Sequence, residues 1–224
     1  MVTRMKSRNN PEPLLESLRE DLQIRRPAIR SRLDEFGEAF REGDERIFRE
    51  LCFCILAANS SAEMGIKSLA AIEDIVLAAD LPALQDRLSR GHRYWRIRPA
   101  YIVHTREYLK REHGLRLRDL LASFPDPESR REFFVKSKDI RGIGMKEASH
   151  FLRNVGFTGY AILDKHILNS LADLGVIRRP SKPLNASRYR RIEKKMMEFA
   201  AGAGINPDEL DLLLWSRKTG KILK

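Results

Sequence analysis

The stretch Lys138–Leu174, KDIRGIGMKEASHFLRNVGFTGYAILDKHILNSLADL, decides how this chain folds. At its centre, Ile140-Arg141-Gly142-Ile143-Gly144-Met145-Lys146 is an apolar–x–Gly–apolar–Gly turn that runs straight into a helical pattern, about Met145 to Val155. The two glycines permit positive φ and let another backbone come close. The following helix points its unpaired first-turn N–H groups back at the turn, which makes the turn an anion cradle. On a basic chain the expected anion is a nucleic-acid phosphate. Asp164 then precedes a second helical pattern, Lys165 to Leu174, where its carboxylate is placed to cap free amides. Gly175 is a plausible C-terminal stop for that helix.

The 224 residues carry a formal charge of +11, from 42 Lys and Arg against 31 Asp and Glu. That balance suits a polyanionic partner without separating nucleic acid from an anionic membrane surface. No apolar run is long enough to span a bilayer, and Met1–Asn10 is polar and basic, unlike a secretory signal. A soluble, cytoplasmic protein is therefore expected. Cys52 and Cys54 lie two apart in Leu51-Cys-Phe-Cys-Ile-Leu56, where helical residues point to different sides, so buried thiols rather than a disulfide are expected. The five His show no zinc-like spacing with Cys or with one another. No metal and no cofactor is expected.

Helical periodicity dominates the rest of the chain, and convincing strands are few. Leu14 to Phe40 shows apolar residues at helical spacing, with Pro27 expected to separate two helices. Glu45 to Ala58 is the most apolar helix. Asn59-Ser60-Ser61 follows it, and Ser60 or Ser61 can cap the next helix. Further helices are expected over Ser61–Ala79, Leu81–Ser89, Pro99–Glu112, Leu115–Phe124, Pro127–Lys136, Ala186–Ala201 and Asp208–Leu214. Between them, GHRYWRIR (Gly91 to Arg98) is a short basic-aromatic loop and Arg178–Leu184 a basic, Pro-containing one. The fold class is all-α.

Gly142-Ile-Gly-Met-Lys146, followed by Leu163-Asp-Lys-His-Ile167, resembles the helix-hairpin-helix base-excision DNA glycosylases. The resemblance runs from about Glu45 to the end. It implies two helical lobes with an active-site cleft between them: a central lobe, residues 45–156, carrying the hairpin, and a second lobe built from 14–44 and 157–224, after a flexible 1–13. It also implies that Lys146 is the nucleophile of a bifunctional enzyme and Asp164 its catalytic partner. Gly142 and Gly144 would grip DNA, His166 would contact a phosphate or lie as a surface histidine, and Asn59 would fill the gap left by a flipped nucleotide. By its own chemistry, apart from the resemblance, the basic-aromatic loop with Arg93, Tyr94, Trp95, Arg96 and Arg98 mixes phosphate charge with stacking faces and would line DNA or the base pocket, or lie as a solvated turn with buried aromatics. Some relatives carry a four-cysteine iron–sulfur cluster after the catalytic Asp; with no cysteine beyond Cys54, this chain does not.

The final residues, LLWSRKTGKILK from Leu213 to Lys224, resemble the tail of type-2 8-oxoguanine DNA glycosylases, short members of the superfamily found in archaea and some bacteria. The implied substrate is duplex DNA containing 8-oxoguanine, handled by a monomer in a prokaryotic cytoplasm, nucleoid-associated. Base removal would be followed by strand cleavage through a lysine Schiff base. Lys224 would distinguish 8-oxoguanine from guanine, and Trp215 would form a pocket wall or fill the core. The physical problem is N7, an acceptor in guanine and a donor in the lesion; a site built to bond one form rejects the other.

An amine must be unprotonated to attack, and a free lysine, with a pKa of about 10.4, is almost wholly charged at neutral pH. A helix N-terminus disfavours an ammonium and a neighbouring carboxylate favours one, so Lys146 and Asp164 are expected to rest as an ion pair. Two other readings stay open. One is an endonuclease III-like glycosylase for oxidised pyrimidines. The other is a non-catalytic hairpin protein, in which Lys146 only grips phosphate and Asp164 only caps a helix.

Overall fold

The most apolar segment of the sequence becomes the axis of the core. In a computed structural model describing residues 12–180 and 182–223, helix α2 spans Asp44–Ala57 and buries every residue from Glu50 to Ala57. Eleven helices and no strands occur among the described residues. The others are α1 (Glu12–Glu42), α3 (Ala62–Ala70), α4 (Leu81–Ser89), α5 (Arg98–His113), α6 (Leu117–Ala122), α7 (Pro127–Lys136), α8 (Met145–Asn154), α9 (Lys165–Asp173), α10 (Ala186–Ala203) and α11 (Pro207–Thr219). None is long and apolar enough to cross a membrane. Of the segment expected to be flexible, Met1–Pro13, only Glu12 and Pro13 are described, and both lie in α1.

The chain divides into two compact units: the described residues of Met1–Arg30 with Leu163–Lys221, and those of Ser31–Ile162 with Ile222–Lys224. In the larger unit, α2 and α8 share the core. Phe53 packs edge-on against His150 at 5.3 Å, and Phe134 of α7 against Phe151 at 4.9 Å. A buried carboxylate in this core is balanced: Glu50 takes Asn154 Nδ2 at 3.2 Å and the Arg46 guanidinium at 3.2 Å. Arg131 of α7 donates to Ser149 Oγ at 3.3 Å. Side chains on both flanks thus hold α8, the helix whose first turn carries Lys146. Cys52 and Cys54 are free and buried, and burial raises the Cys52 thiol far above its ordinary range, so it is an inert core group.

In the smaller unit, Leu18, Leu22, Ile167, Leu171, Met196, Leu210 and Leu213 are all buried. Glu209 on the first turn of α11 pairs with Arg26 and Arg30 of α1 at 3.3 and 2.8 Å. The Tyr189 hydroxyl accepts the Leu163 N–H at 3.2 Å and so fixes the residue before Asp164.

Two expected elements differ. Pro27 does not separate two helices; α1 runs through it. Pro27 and Gln23, whose carbonyl loses its partner, both face solvent, where water can replace the bond. The buried stripe Leu18, Leu22, Ile29, Phe36 keeps one helical phase across the proline. The second difference is at Ser61–Ala79, where the helix ends at Ala70 and turns follow. Side-chain donors take the carbonyls a helix would have used: Arg87 binds Ala71 O at 3.2 Å, Arg106 binds Val76 O at 2.9 Å, and Lys110 binds Leu77 O at 3.0 Å. At the other end of the chain, α11 reaches Thr219 instead of stopping at Leu214, which makes Trp215 helical.

Candidate active site and nucleic-acid interface

The hairpin stands on one face of α5. Gly142 has φ +79, a conformation that strains any residue with a Cβ. A Cβ there would lie 2.7 Å from Tyr101 Cδ2 and 2.9 Å from Arg98 Nη1, so the close neighbours are side chains rather than another backbone. Thr105, one turn further along α5, accepts the Arg141 N–H at 3.1 Å. His104 meets Asp139 at 3.2 Å. Gly144 differs from expectation: its φ is −104, extended and open to any residue, and it serves as the N-cap of α8. Having no side chain, it makes no side-chain cap bond to the first-turn amides of α8.

Lys146 is the second residue of α8 and is partly exposed. Its Nζ lies 3.1 Å from Glu147 Oε1, and the other oxygen of the same carboxylate accepts the Gly144 N–H at 3.3 Å. Glu147 therefore ties the amine of Lys146 to the hairpin backbone. Glu147 carried a readable signal in the sequence, since Glu three residues after a helix-opening Gly has the spacing of half a capping box.

Asp164 is the N-cap of α9. One oxygen, Oδ1, accepts both the His166 and Ile167 N–H groups, at 2.7 and 2.8 Å. Capping thus occupies one side of the carboxylate. His166 is partly exposed on the first turn of α9, and Trp215 is partly exposed on α11. Thr219 Oγ1 binds the Trp215 carbonyl at 3.0 Å, and Gly220, left-handed at φ 75, ends the helix. Lys224 lies outside the described residues.

Asn59 follows α2, exposed and left-handed at φ 57, a strained conformation that Asn tolerates better than most residues. Of Ser60 and Ser61, it is Ser61 that caps α3, accepting the Met64 N–H at 3.1 Å. In the basic-aromatic loop Arg93 and Arg96 are exposed, and the Arg96 guanidinium lies 4.4 Å from the Trp95 ring centroid. Arg98 is buried instead and donates to Ala58 O at 2.9 Å.

Residues 29–205 match the family model described as 8-oxoguanine DNA glycosylase, Ogg-HhH. The chain belongs to this helix-hairpin-helix family. It is 42% identical over 200 residues to an 8-oxoguanine DNA glycosylase/AP lyase of Korarchaeum cryptofilum, covering 89% of this chain and 91% of the relative. The Methanocaldococcus jannaschii 8-oxoguanine glycosylase/lyase, crystallised with a 15mer DNA containing 8-oxoguanine, superposes with a TM-score of 0.86 at 37% identity, over 94% of this chain and 99% of that one. The Thermotoga maritima 8-oxoguanine DNA glycosylase superposes at 0.85 and 37% identity, over 96% and 100%. The all-α reading and the family reading both stand.

Within the family's hairpin, Gly142→Ala gives an early test of the local geometry. The new methyl would have to push Tyr101 or Arg98 aside at positive φ. The expected loss is about 1–3 kcal/mol of stability by denaturant unfolding, together with weaker binding of undamaged duplex. Unchanged unfolding and binding would show that the Gly142 turn is slack.

Proposed function

We propose that this chain removes 8-oxoguanine from duplex DNA and cleaves the strand 3′ to the abasic site, with Lys146 as nucleophile and Asp164 as its electrostatic partner. What carries the reading is the hairpin itself: in a chain of this family, it sets Lys146 on the first turn of a helix whose leading amides have no side-chain cap. A DNA phosphate takes those amides and the positive helix end, with the net charge of +11 drawing the duplex in.

The chemistry follows from the groups. Lys146 Nζ, unprotonated, forms a bond to deoxyribose C1′ as the C1′–N9 bond breaks and the electron pair leaves with the base. Positive charge grows on the sugar, and the Asp164 carboxylate stabilises it. Opening of the ring, with the O4′–C1′ bond electrons leaving on oxygen, gives the Schiff base between Nζ and C1′. Loss of a C2′ proton then expels the 3′ phosphate. Release of Nζ by water completes the cycle. Asn59 fills the gap left by the extruded nucleotide, His166 and Arg96 bind backbone, Trp215 walls the base pocket, and Lys224 reads the N7 hydrogen.

Borohydride trapping on matched duplexes carrying 8-oxoguanine, dihydrothymine or guanine tests the substrate. A covalent adduct is expected on 8-oxoguanine alone. Trapping on dihydrothymine instead would keep the lysine chemistry and replace the substrate with oxidised pyrimidines. Deleting Lys224 is expected to narrow the preference for 8-oxoguanine over guanine by on the order of 10²-fold, the scale of leaving one buried hydrogen-bonding group without its partner. An equal loss on every duplex, matched by weaker binding, would reduce Lys224 to a phosphate contact.

A further inference from the structure

We infer that Arg98, with His92 beside it, is a positioning residue that sets Asn59 in register with the hairpin. The inference rests on the proposed gap-filling role of Asn59. Four observations carry it, all within the larger unit. First, the carbonyls at the end of α2 are taken by side chains from the basic-aromatic loop, across gaps of 36 and 40 residues: His92 Nε2 meets Leu56 O at 3.0 Å, and Arg98 Nη2 meets Ala58 O at 2.9 Å. Second, both side chains are built in rather than lying on the surface, at 3% and 7% exposure.

Third, the ring of His92 has a fixed role. Its Nδ1 accepts the Tyr94 N–H at 3.0 Å, so Nε2 carries the hydrogen and donates to Leu56 O. Arg98 places a permanent cation at the negative end of α2, flanked by the Tyr94 and Tyr101 rings at 5.4 and 5.5 Å. Fourth, the same guanidinium reaches the hairpin, because its Nη1 is 2.9 Å from where a Cβ on Gly142 would stand. One planar group therefore lies against both the carbonyl preceding Asn59 and the apex of the phosphate-gripping turn.

Asn59 needs such support. A left-handed non-glycine residue persists only where its surroundings hold it. Ser61 fixes the following turn by capping α3, and Arg98 with His92 fixes the preceding one. A lysine at 98 would keep the charge but not the fork that spans the two contacts.

Single-turnover rates at saturating protein separate this role from general support of the fold. Base excision is measured on an 8-oxoguanine duplex, and strand cleavage on a duplex with a preformed abasic site, from which no base has to be expelled. Asn59→Ala is expected to slow excision far more than abasic cleavage. Arg98→Lys is expected to show the same split, up to about 10²-fold on excision, the cost of a displacement of about 1 Å. The double variant should be no slower than the slower single one, because residues acting through one another are not additive. If Arg98→Lys does not fold, His92→Gln carries the same expectation through Leu56.

An Asn59→Ala protein with no split removes the gap-filling reading and this inference with it. A split for Asn59→Ala alone overturns the inference while that reading survives. So does an Arg98→Lys protein that slows both reactions equally, or a double variant in which the two losses multiply.

Discussion

Lys146→Gln is expected to abolish borohydride trapping and to cut strand cleavage at 8-oxoguanine by more than about 10⁴-fold, in the range seen when an enzyme loses its nucleophile. Glutamine keeps most of the side chain's length and polarity but has no amine to form a Schiff base. The fold should tolerate the change. Lys146 is partly exposed, and its ion pair with the adjacent Glu147 at 3.1 Å is of the kind worth about 0–1 kcal/mol. Binding should survive as well, because the substitution leaves in place the hairpin backbone amides proposed to hold the phosphate. The informative result is a protein that holds lesion duplex with near wild-type affinity and neither traps nor cleaves it. Persistent trapping would move the nucleophile elsewhere. Equal loss of binding and cleavage would return Lys146 to a phosphate-gripping role.

What was legible in the sequence was local. Gly142, Gly144 and Lys146 fall within five residues, and their spacing alone places a turn against a helix start. Asp164 as a helix cap was equally readable, and its Oδ1 does accept two first-turn amides. What escaped was the support beneath these residues, because it is long-range. Arg98 looks like one more arginine in a basic loop until the fold brings it to Ala58. Thr105 carries no signal, yet it holds the Arg141 amide. The two misread elements fail for the same reason. Pro27 is a helix breaker by local rule, and burial of Leu22 and Ile29 on either side of it overrides the rule. The turns after Ala70 exist because Arg87, Arg106 and Lys110, distant in sequence, supply the donors. Gly144 shows the reverse limit: a glycine in a turn does not by itself imply positive φ.

Asp164 offers the sharpest separation of structure from chemistry, because Asn and Asp are about equally good N-caps. Asp164→Asn keeps an oxygen for the His166 and Ile167 amides but removes the negative charge. Unfolding should therefore stay within about 0.5 kcal/mol of wild type, while base excision falls by about 10²–10³-fold, the scale of removing one group aimed at charge that develops in a transition state. Asp164→Ala removes both functions and should add a stability loss of about 1 kcal/mol. Cleavage of a preformed abasic site discriminates further. No glycosidic bond breaks there, so the Asp164→Asn protein should lose much less on that substrate than on 8-oxoguanine. Were Asp164 only a cap, Asp164→Asn would excise like wild type and Asp164→Ala would lose activity only as far as it loses fold. Both substitutions remove the charge and only Asp164→Asn keeps the capping oxygen, so their difference in stability reports the cap, and the activity that Asp164→Asn loses without unfolding reports the charge.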